Sequence, residues 1–324
     1  MDFHNFFSTF WANTFSGLSL GAIYALVALG YTLVYGVLRL INFANSEVFM
    51  LGTFGSLLAL TILGVPAGGD IRSGGALVGS LALMAVLSIV FSGGGAVILE
   101  LVAYRPLRRR NSPRLVFLIS AIGASFAIAE AVGAFGIPGI DSKKREEYTL
   151  GRVWNTRSDL FKVGKFDVQV RHLIVMVGAA IMMTGLWLFV NRTRLGRGMR
   201  AVAQDAETAK ILGVNVDQVI LVTFVVGGVM AGGAAFLYSL YFEATRYNVG
   251  FLLGVKSFTA AVLGGIGNIT GALIGGLMLG LIENWGAGLF GGAWKDVIAF
   301  AVLVIVLMFR PTGLLGEKLG RARA

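Results

Sequence analysis

The sequence predicts an all-α integral membrane protein: a polytopic helix bundle of about 8 transmembrane segments, some of them broken. Hydrophobic residues occupy 56% of the 324 positions and charged residues only 14%, whereas soluble globular chains carry roughly 25% charged residues. The apolar residues form long runs, while the strands of a membrane β-barrel would alternate apolar and polar positions. Because a helix satisfies its own backbone hydrogen bonds in lipid, these runs predict a helical bundle.

The apolar segments give the order of the predicted spans, since a helix needs about 20 residues to cross a bilayer. They lie at 12–38, 43–65, 76–103, 115–137, 172–190, 219–242, 251–285 and 294–309. The segment 251–285 is long enough for two short half-helices. We treat residues 1–324 as a single transmembrane domain.

The positions of arginine and lysine predict the orientation of the bundle. The loop 104–114 holds five arginines and no acid, the loop 191–218 holds five basic and three acidic residues, and the tail after Phe309 adds four basic residues. Because short positive loops stay in the cytoplasm, we expect these three parts, including the C-terminus, on the cytoplasmic side of the inner (plasma) membrane. The loop 138–171 then lies in the periplasm, although its eight basic residues outnumber its five acids. The side of the N-terminus stays open.

Composition and motifs argue against several function classes. The net charge of +10 does not indicate nucleic acid, because the arginines flank apolar segments as the positive-inside rule requires. The chain has no cysteine, and His4 and His172 are far apart, so no metal site is predicted. No GxxxxGK[ST] or HExxH motif is present. We therefore predict no catalytic residue, and ATP hydrolysis would need another chain.

A polar hexad, residues 42–47, separates the first two apolar segments. Its polar members are Asn42, Asn45, Ser46 and Glu47. Such groups at membrane depth are costly unless they pair or line a cavity, and broken helices expose backbone groups that can hold a polar solute. An interfacial turn with an Asn or Ser helix cap explains the same residues. The two interpretations stay open, and the first places these residues on a translocation path.

A second break falls within 251–285, at Gly264, Gly265, Gly267 and Asn268. Glycine permits positive φ and close backbone approach, so a break here could free backbone groups to line a path. A plain turn between two short helices is the alternative. Glycines at spacing four, such as Gly17 with Gly21 and Gly276 with Gly280, predict close helix packing.

Glu130 stands in the middle of the apolar segment 115–137. An intramembrane carboxylate either serves a function or forms a structural hydrogen bond between helices. We favour the structural role, because it is the one acid that is clearly in the middle of a predicted span.

A polar stretch, residues 196–213, lies between two long apolar segments and predicts a rigid, water-facing helical element. Asp205 can cap a helix that begins at Ala206, and Gly213 can end it in the left-handed conformation. Glu207 and Lys210 face water one turn apart, while Ala206 and Ala209 would leave a small, flat face. Such a helix is typical of a docking site for a partner protein, although a solvated surface loop is the alternative.

Three stretches, in order along the chain, resemble one family. They are GLSLGAIYALVALGYTLVYGVLRLINFANSEVFMLGTF (Gly17–Phe54), RAVAQDAETAKILGVNV (Arg200–Val216) and AAVLGGIGNITGALIGGLMLGLIEN (Ala260–Asn284). The chain resembles the permease subunits of high-affinity branched-chain amino acid ABC importers of the LivH type. The resemblance implies a bundle like that of type II ABC importers and a coupling helix at Arg200–Gly213. One departure is Asn45-Ser46, where the family usually has His-Gly.

The resemblance also implies an assembly and a mechanism. The partners would be a second, homologous permease subunit, two cytoplasmic ABC ATPases and a periplasmic solute-binding protein, with membrane lipid around the bundle. This chain would bind no cofactor, because ATP and magnesium would sit on the ATPases. Alternating access driven by ATP would translocate leucine, isoleucine or valine. A urea or short-chain amide permease is the alternative within this class. In another class, an ion-coupled secondary amino acid transporter would use Glu130, and a non-transporting scaffold is the third interpretation.

Overall fold

The computed structural model describes residues 3–66, 68–71, 75–137, 140, 145–153, 159–163 and 166–316. Within these ranges long helices dominate. The helices are α1 (Phe3–Leu38), α2 (Asn45–Ile62), α3 (Gly75–Leu99), α4 (Arg105–Arg109), α5 (Arg114–Phe135), α6 (Val170–Arg192), α7 (Arg194–Gln204), α8 (Ala206–Ile211), α9 (Val216–Phe242), α10 (Val249–Gly264), α11 (Ile269–Phe290) and α12 (Lys295–Phe309). A π-helical turn, Glu100–Tyr104, joins α3 to α4, and a 3₁₀ turn, Gly292–Trp294, precedes α12.

Eight described helical stretches are long and apolar enough to cross a bilayer, which confirms the predicted all-α polytopic architecture. They are Thr9–Leu38, Asn45–Ile62, Leu77–Arg109, Arg114–Phe135, Val170–Arg192, Val216–Phe242, Ile269–Phe290 and Gly292–Phe309. The predicted segment 251–285 divides at its glycines into α10 and α11. The 16 residues of α10 rise only about 24 Å, so it is a short helix among full spans.

One end of the bundle, here called the coupling end, carries the loop 191–218. The guanidinium of Arg39, just after α1, donates to the carbonyl oxygen of Ala203 in α7 at 3.1 Å. The C-terminus of α1 therefore lies at the coupling end. The chain then passes back and forth through α2, α3, α5, α6, α9, α10, α11 and α12. With α10 included, α1 and α12 run in the same direction, so the N-terminus of α1 lies at the opposite end. The side of the N-terminus that the sequence left open is therefore opposite the coupling loop.

Short strands cover the end opposite the coupling loop. They are β1 (Asp70–Ile71), β2 (Tyr148–Thr149), β3 (Arg152–Val153), β4 (Asp159–Val163), β5 (Phe166–Gln169) and β6 (Ala244–Thr245). The pairs are β1 with β3 in parallel, and β2 with β6 and β4 with β5 antiparallel. The described parts of the loop 138–171 are thereby tied to the segments that follow α2 and α9.

Glycines bring α1 and α11 into backbone contact. A Cβ added at Gly17 would lie 2.9 Å from the carbonyl oxygen of Gly280, and one at Gly21 would lie 2.9 Å from that of Gly276. These contacts confirm the helix packing predicted from the spacing of four. Between α3 and α9 the same packing gains hydrogen bonds, because Ser88 and Ser92 donate to the carbonyls of Gly232 and Gly228 at 2.7 and 2.8 Å. Helices pack closely in lipid through such small residues.

Candidate functional site: a buried break and a capped coupling segment

The hexad lies inside the bundle. The non-helical residues between α1 and α2 run antiparallel to the last turns of α1. As a result Asn45, the first residue of α2, packs against Gly30 of α1. Gly30 stands eight residues before the end of α1, or about 12 Å along its axis. The structure therefore disagrees with a turn that carries a side-chain cap: α2 starts well inside the bundle, and its N-terminus at Ala44 has no side-chain cap hydrogen bond.

All four polar members of the hexad are buried, with 1–4% of their surface exposed. Asn42 accepts a hydrogen bond from the Tyr104 hydroxyl at 3.1 Å, and Ser46 donates to the Phe43 carbonyl at 2.7 Å. The amide nitrogen of Asn45 has no hydrogen-bond partner in the described part of the chain. The hexad is thus enclosed by neighbouring helices in this conformation and does not face open water.

Glu47 is the buried acid of the hexad. One carboxylate oxygen accepts from Ser125 of α5 at 3.2 Å and from Ser46 at 3.4 Å. The other, Oε2, is buried and has no hydrogen-bond partner among the residues described. A Cβ at Gly250 would lie 2.9 Å from this oxygen, so the carboxylate sits against the first turn of α10. The N-terminus of a helix carries partial positive charge, so the carboxylate lies beside the positive end of the α10 dipole.

The N-termini of α2 and α10 meet at the hexad. Gly254, one turn into α10, leaves room for Ser46 and the Tyr31 hydroxyl, which a Cβ would approach to 3.1 Å. Two helix starts with their free N–H groups therefore point into one buried polar region. A small recess beside it is lined by Tyr31, Tyr35, Ile41, Phe258, Ala261 and Ile266.

The second predicted break is a packed turn between α10 and α11 at the coupling end. Gly265 and Gly267 adopt φ of 107° and 96°, and Asn268 caps α11 by accepting from the backbone of Gly271 at 3.2 Å. The carbonyls freed at the end of α10, those of Leu263 and Gly264, accept from the backbone N–H groups of Leu314 and Leu315 at 2.8 and 3.0 Å. The geometry is that of the plain turn, because the C-terminal segment takes up these carbonyls.

Glu130 lies toward the strand-covered end of α5, five residues before Phe135, and is not central in the helix. Its carboxylate pairs with the guanidinium of Arg145 at 2.6 Å, and the two side chains are 57% and 62% exposed. The expected bond between helices is therefore replaced by an ion pair with the loop 138–171.

A buried ion cluster escaped the sequence reasoning. Lys256 of α10 contacts Glu283 of α11 at 2.7 Å and Asp296 of α12 at 2.6 Å, while Tyr24 of α1 donates to Glu283 at 3.1 Å. Lys256 and Glu283 are almost fully buried. The sequence signal was a lysine and a glutamate within the one apolar run 251–285. Charges inside a membrane segment are paired as a rule, so these two residues could have been predicted to pair. In the described residues no group of three or more His, Asp or Glu side chains is placed to hold a metal ion.

The coupling loop contains two helices where one rigid element was expected. Asp205 ends α7 and caps α8, with its carboxylate accepting from the backbone of Glu207 at 2.9 Å and of Thr208 at 3.3 Å. Gly213 follows α8 with φ of 85°, as the sequence predicted. The hydroxyl and backbone of Thr208, followed by the backbone of Glu207, lower the pKa of Asp205. The cap is thus ionised at neutral pH, and its stabilisation is lost only in acid below the ordinary pKa of about 3.9.

The exposed face of α8 differs from the predicted one. Ala206, Glu207 and Lys210 are exposed as expected, but Ala209 is 2% exposed and packs into the bundle. Because Ala209 is buried, it does not share an exposed face with Ala206 in this structure, whereas the sequence placed both on one small face for docking. The apolar residues that do face outward are Ile211 and Leu212, at 86% and 77% exposed.

Arg200 has an internal contact. Its guanidinium donates to the Val190 carbonyl at 2.6 Å and to the Asn191 side chain at 3.0 Å. It thereby satisfies a carbonyl at the C-terminal end of α6, where a positive charge is favourable. Of the residues assigned to the coupling segment, Arg200 therefore ties the loop to the bundle.

Comparison with known proteins gives one consistent family. Residues 13–307 match the sequence model of the branched-chain amino acid transport system / permease component family. The BraD permease protein of Pseudomonas aeruginosa is 43% identical over 93% of this chain and 94% of its own length. The LivH permease protein of Escherichia coli K12 is 38% identical over 96% of this chain and 97% of its own. Among solved structures, PsaBC from Streptococcus pneumoniae aligns with a TM-score of 0.45 at 12% identity, covering 96% of this chain and 97% of that chain.

Proposed function

Because this chain belongs to the family of permease components of branched-chain amino acid transport systems, we propose that it translocates leucine, isoleucine and valine into the cell. The family match over residues 13–307 carries this proposal. The chain is a multi-pass membrane protein and a transport subunit without catalytic activity of its own. ATP and magnesium would be bound by separate ATPase chains, and this chain itself would bind no cofactor.

The ATPase would dock on the coupling loop. Ile211 and Leu212 leave two large apolar side chains in the aqueous phase, and an isolated exposed pair on a short capped helix fits a groove in a partner. Lys210 and Glu207 flank them and can form polar contacts at the rim of such an interface. This assignment puts the coupling end, and with it the C-terminus, in the cytoplasm, in agreement with its excess of arginine.

The assembly would contain this chain, a second homologous permease, two ATPases and a periplasmic solute-binding protein. The solute path would run past the hexad, where Asn42, Asn45, Ser46 and Glu47 provide polar groups at membrane depth. Closure of the ATPases on ATP would move α8 and switch the path from one side to the other. The turn at Gly264–Asn268 supports α10 and α11 from the coupling end.

The comparisons support this function over the alternatives. The relatives that are 43% and 38% identical are branched-chain amino acid permease proteins, which favours that substrate class over urea or short-chain amides. The ion-coupled carrier depends on Glu130 as a buried ion site, whereas that carboxylate is exposed and paired with Arg145.

Uptake by the reconstituted complex tests the proposal. The chain is co-expressed with a second permease, two ATPases and a binding protein of the same family of transport systems, and the complex is placed in proteoliposomes with ATP inside or outside. We expect labelled leucine uptake that requires ATP and is competed by isoleucine and valine, but not by urea. Uptake driven by a proton or sodium gradient without ATP, or competition by urea alone, would contradict it.

A further inference from the structure

The π-helical turn Glu100–Tyr104 interrupts an otherwise continuous helix between α3 and α4. A π turn holds one residue more than an α turn and is rare, short and concentrated at functional positions. Here it lies between the membrane-spanning α3 and the basic α4 at the coupling end. Its first and last residues, Glu100 and Tyr104, are both 1% exposed, so the turn is fixed by buried contacts at each end.

On the coupling side, Arg108 holds the turn to the end of the coupling loop. Its guanidinium contacts Glu100 at 3.0 Å and Asp217 at 2.8 Å. Asp217 is in the first turn of α9, directly after the loop that carries α7 and α8. The second oxygen of Glu100 is buried with no hydrogen-bond partner in the described part of the chain. Removing Arg108 would leave a buried carboxylate unpaired, which is strongly unfavourable.

On the membrane side, Tyr104 joins the turn to the hexad. Its hydroxyl donates to Asn42 at 3.1 Å, and its ring packs against Phe117 of α5 and Phe224 of α9 at centroid distances of 5.9 and 5.0 Å. The contacts of the turn are thus shared between the coupling loop and the buried break, the two features that the proposed function requires to move together.

We propose that Asp217, Arg108 and the π-helical turn form a relay that positions the hexad according to the position of the coupling loop. The relay rests on the proposed function, since it presumes an ATPase that moves α8. Displacing the start of α9 pulls Arg108, and Arg108 pulls the first residue of the turn. Conversion of the turn to α-helix would rotate the chain beyond it by about 100° and shift it by about 1.5 Å, the values for one helical residue.

Such a conversion separates Tyr104 from Asn42. In the proposed relay the turn switches between the π-helical arrangement seen here and an α-helical one, and the contacts at its two ends bias that equilibrium, which is the physical requirement for coupling between distant sites. Glu100, Arg108 and Tyr104 are positioning residues, because none of them is placed to touch the solute. A second link, from Arg39 to the Ala203 carbonyl, ties the start of the non-helical segment to α7 and holds the other side of the hexad.

The test uses the complete reconstituted complex and measures leucine imported per ATP hydrolysed. Tyr104→Phe removes only the hydroxyl, and Asp217→Asn removes only the charge at the loop. We expect each to lower the import ratio about fivefold or more, the lower range for coupling between sites, with the ATPase rate within about twofold. Asp217→Glu, which keeps the charge, should restore the ratio.

The double variant decides between a relay and two local effects. If the residues act through one chain of contacts, Tyr104→Phe combined with Asp217→Asn loses no more than either alone. Arg109→Gln, an exposed neighbour of Arg108, and Tyr241→Phe in α9 serve as controls that keep the wild-type ratio. A wild-type ratio in Tyr104→Phe, or multiplied losses in the double variant, would overturn the relay. A wild-type complex that hydrolyses ATP without importing leucine contradicts the proposed function itself and removes the premise of the relay.

Discussion

Replacement of Lys256 by methionine should destabilise the protein far more than loss of its partner Asp296. Lys256 is the positive charge nearest to Glu283, a carboxylate that is 2% exposed, and its removal leaves the acid with the Tyr24 hydroxyl at 3.1 Å. Breaking a buried pair from one side costs about 3–5 kcal/mol. Asp296 is 49% exposed, so Asp296→Asn should cost about 1 kcal/mol or less.

The unfolding free energy can be measured in detergent by titration with SDS, with tryptophan fluorescence as the signal. The decisive variant is Lys256→Met with Glu283→Gln, because removing both charges should recover most of the loss. Lys295→Met is the matched control: its ammonium bonds to the neutral Asn284 at 3.2 Å, and no buried charge is stranded. A loss below about 1 kcal/mol in Lys256→Met, or a double variant less stable than the single one, would refute the reasoning from burial.

Three further predictions concern coupling, the ion pair and packing. Leu212→Ser should leave the bundle folded but lower transport-linked ATPase activity in the complex, because an exposed apolar contact is lost; unchanged activity would exclude docking at this residue. Glu130→Gln should leave leucine uptake unchanged, since its pair with Arg145 is exposed, whereas abolished uptake would revive an ion-coupled mechanism. Gly280→Leu should prevent stable folding, because even a Cβ there meets the α1 backbone, while Gly94→Leu, with nothing within 4 Å of its Cβ position, should yield normal monodisperse protein.

Much of the fold follows from local physics that a sequence displays. Long apolar runs fix the spans, and glycines at spacing four fix which faces of α1 and α11 meet. Asp205 and Gly213 predict the two ends of α8, because a cap and a left-handed stop depend on only a few neighbouring residues. The polar residues at 42–47 indicated a break by a second local argument, because amides and a carboxylate are costly in lipid unless they are paired.

Other features depend on contacts that no local pattern contains. Ala209 turns inward because α8 rests on the bundle, a fact set by the bend at Asp205 and not by the composition of α8. Glu130 is central in its apolar run but ends beside Arg145, whose position depends on the fold of the loop 138–171. The partners of Lys256 come from α11 and α12, so no local pattern around Lys256 could show what neutralises it. The π turn has no composition of its own that distinguishes it from α-helix.

The role of α10 joins several of these observations. At 16 residues it is too short for an unaided span, yet the direction of every later helix depends on its crossing. Its N-terminal turn meets the carboxylate of Glu47, which offsets partial positive charge at a helix start held at membrane depth. Its interior carries Lys256 between two acids, and its C-terminal carbonyls are taken up by residues 314–315. The first turn, the lysine and the C-terminal carbonyls of this half-helix are thus each met by a group from a different part of the chain, so α10 depends on the assembled bundle for its stability.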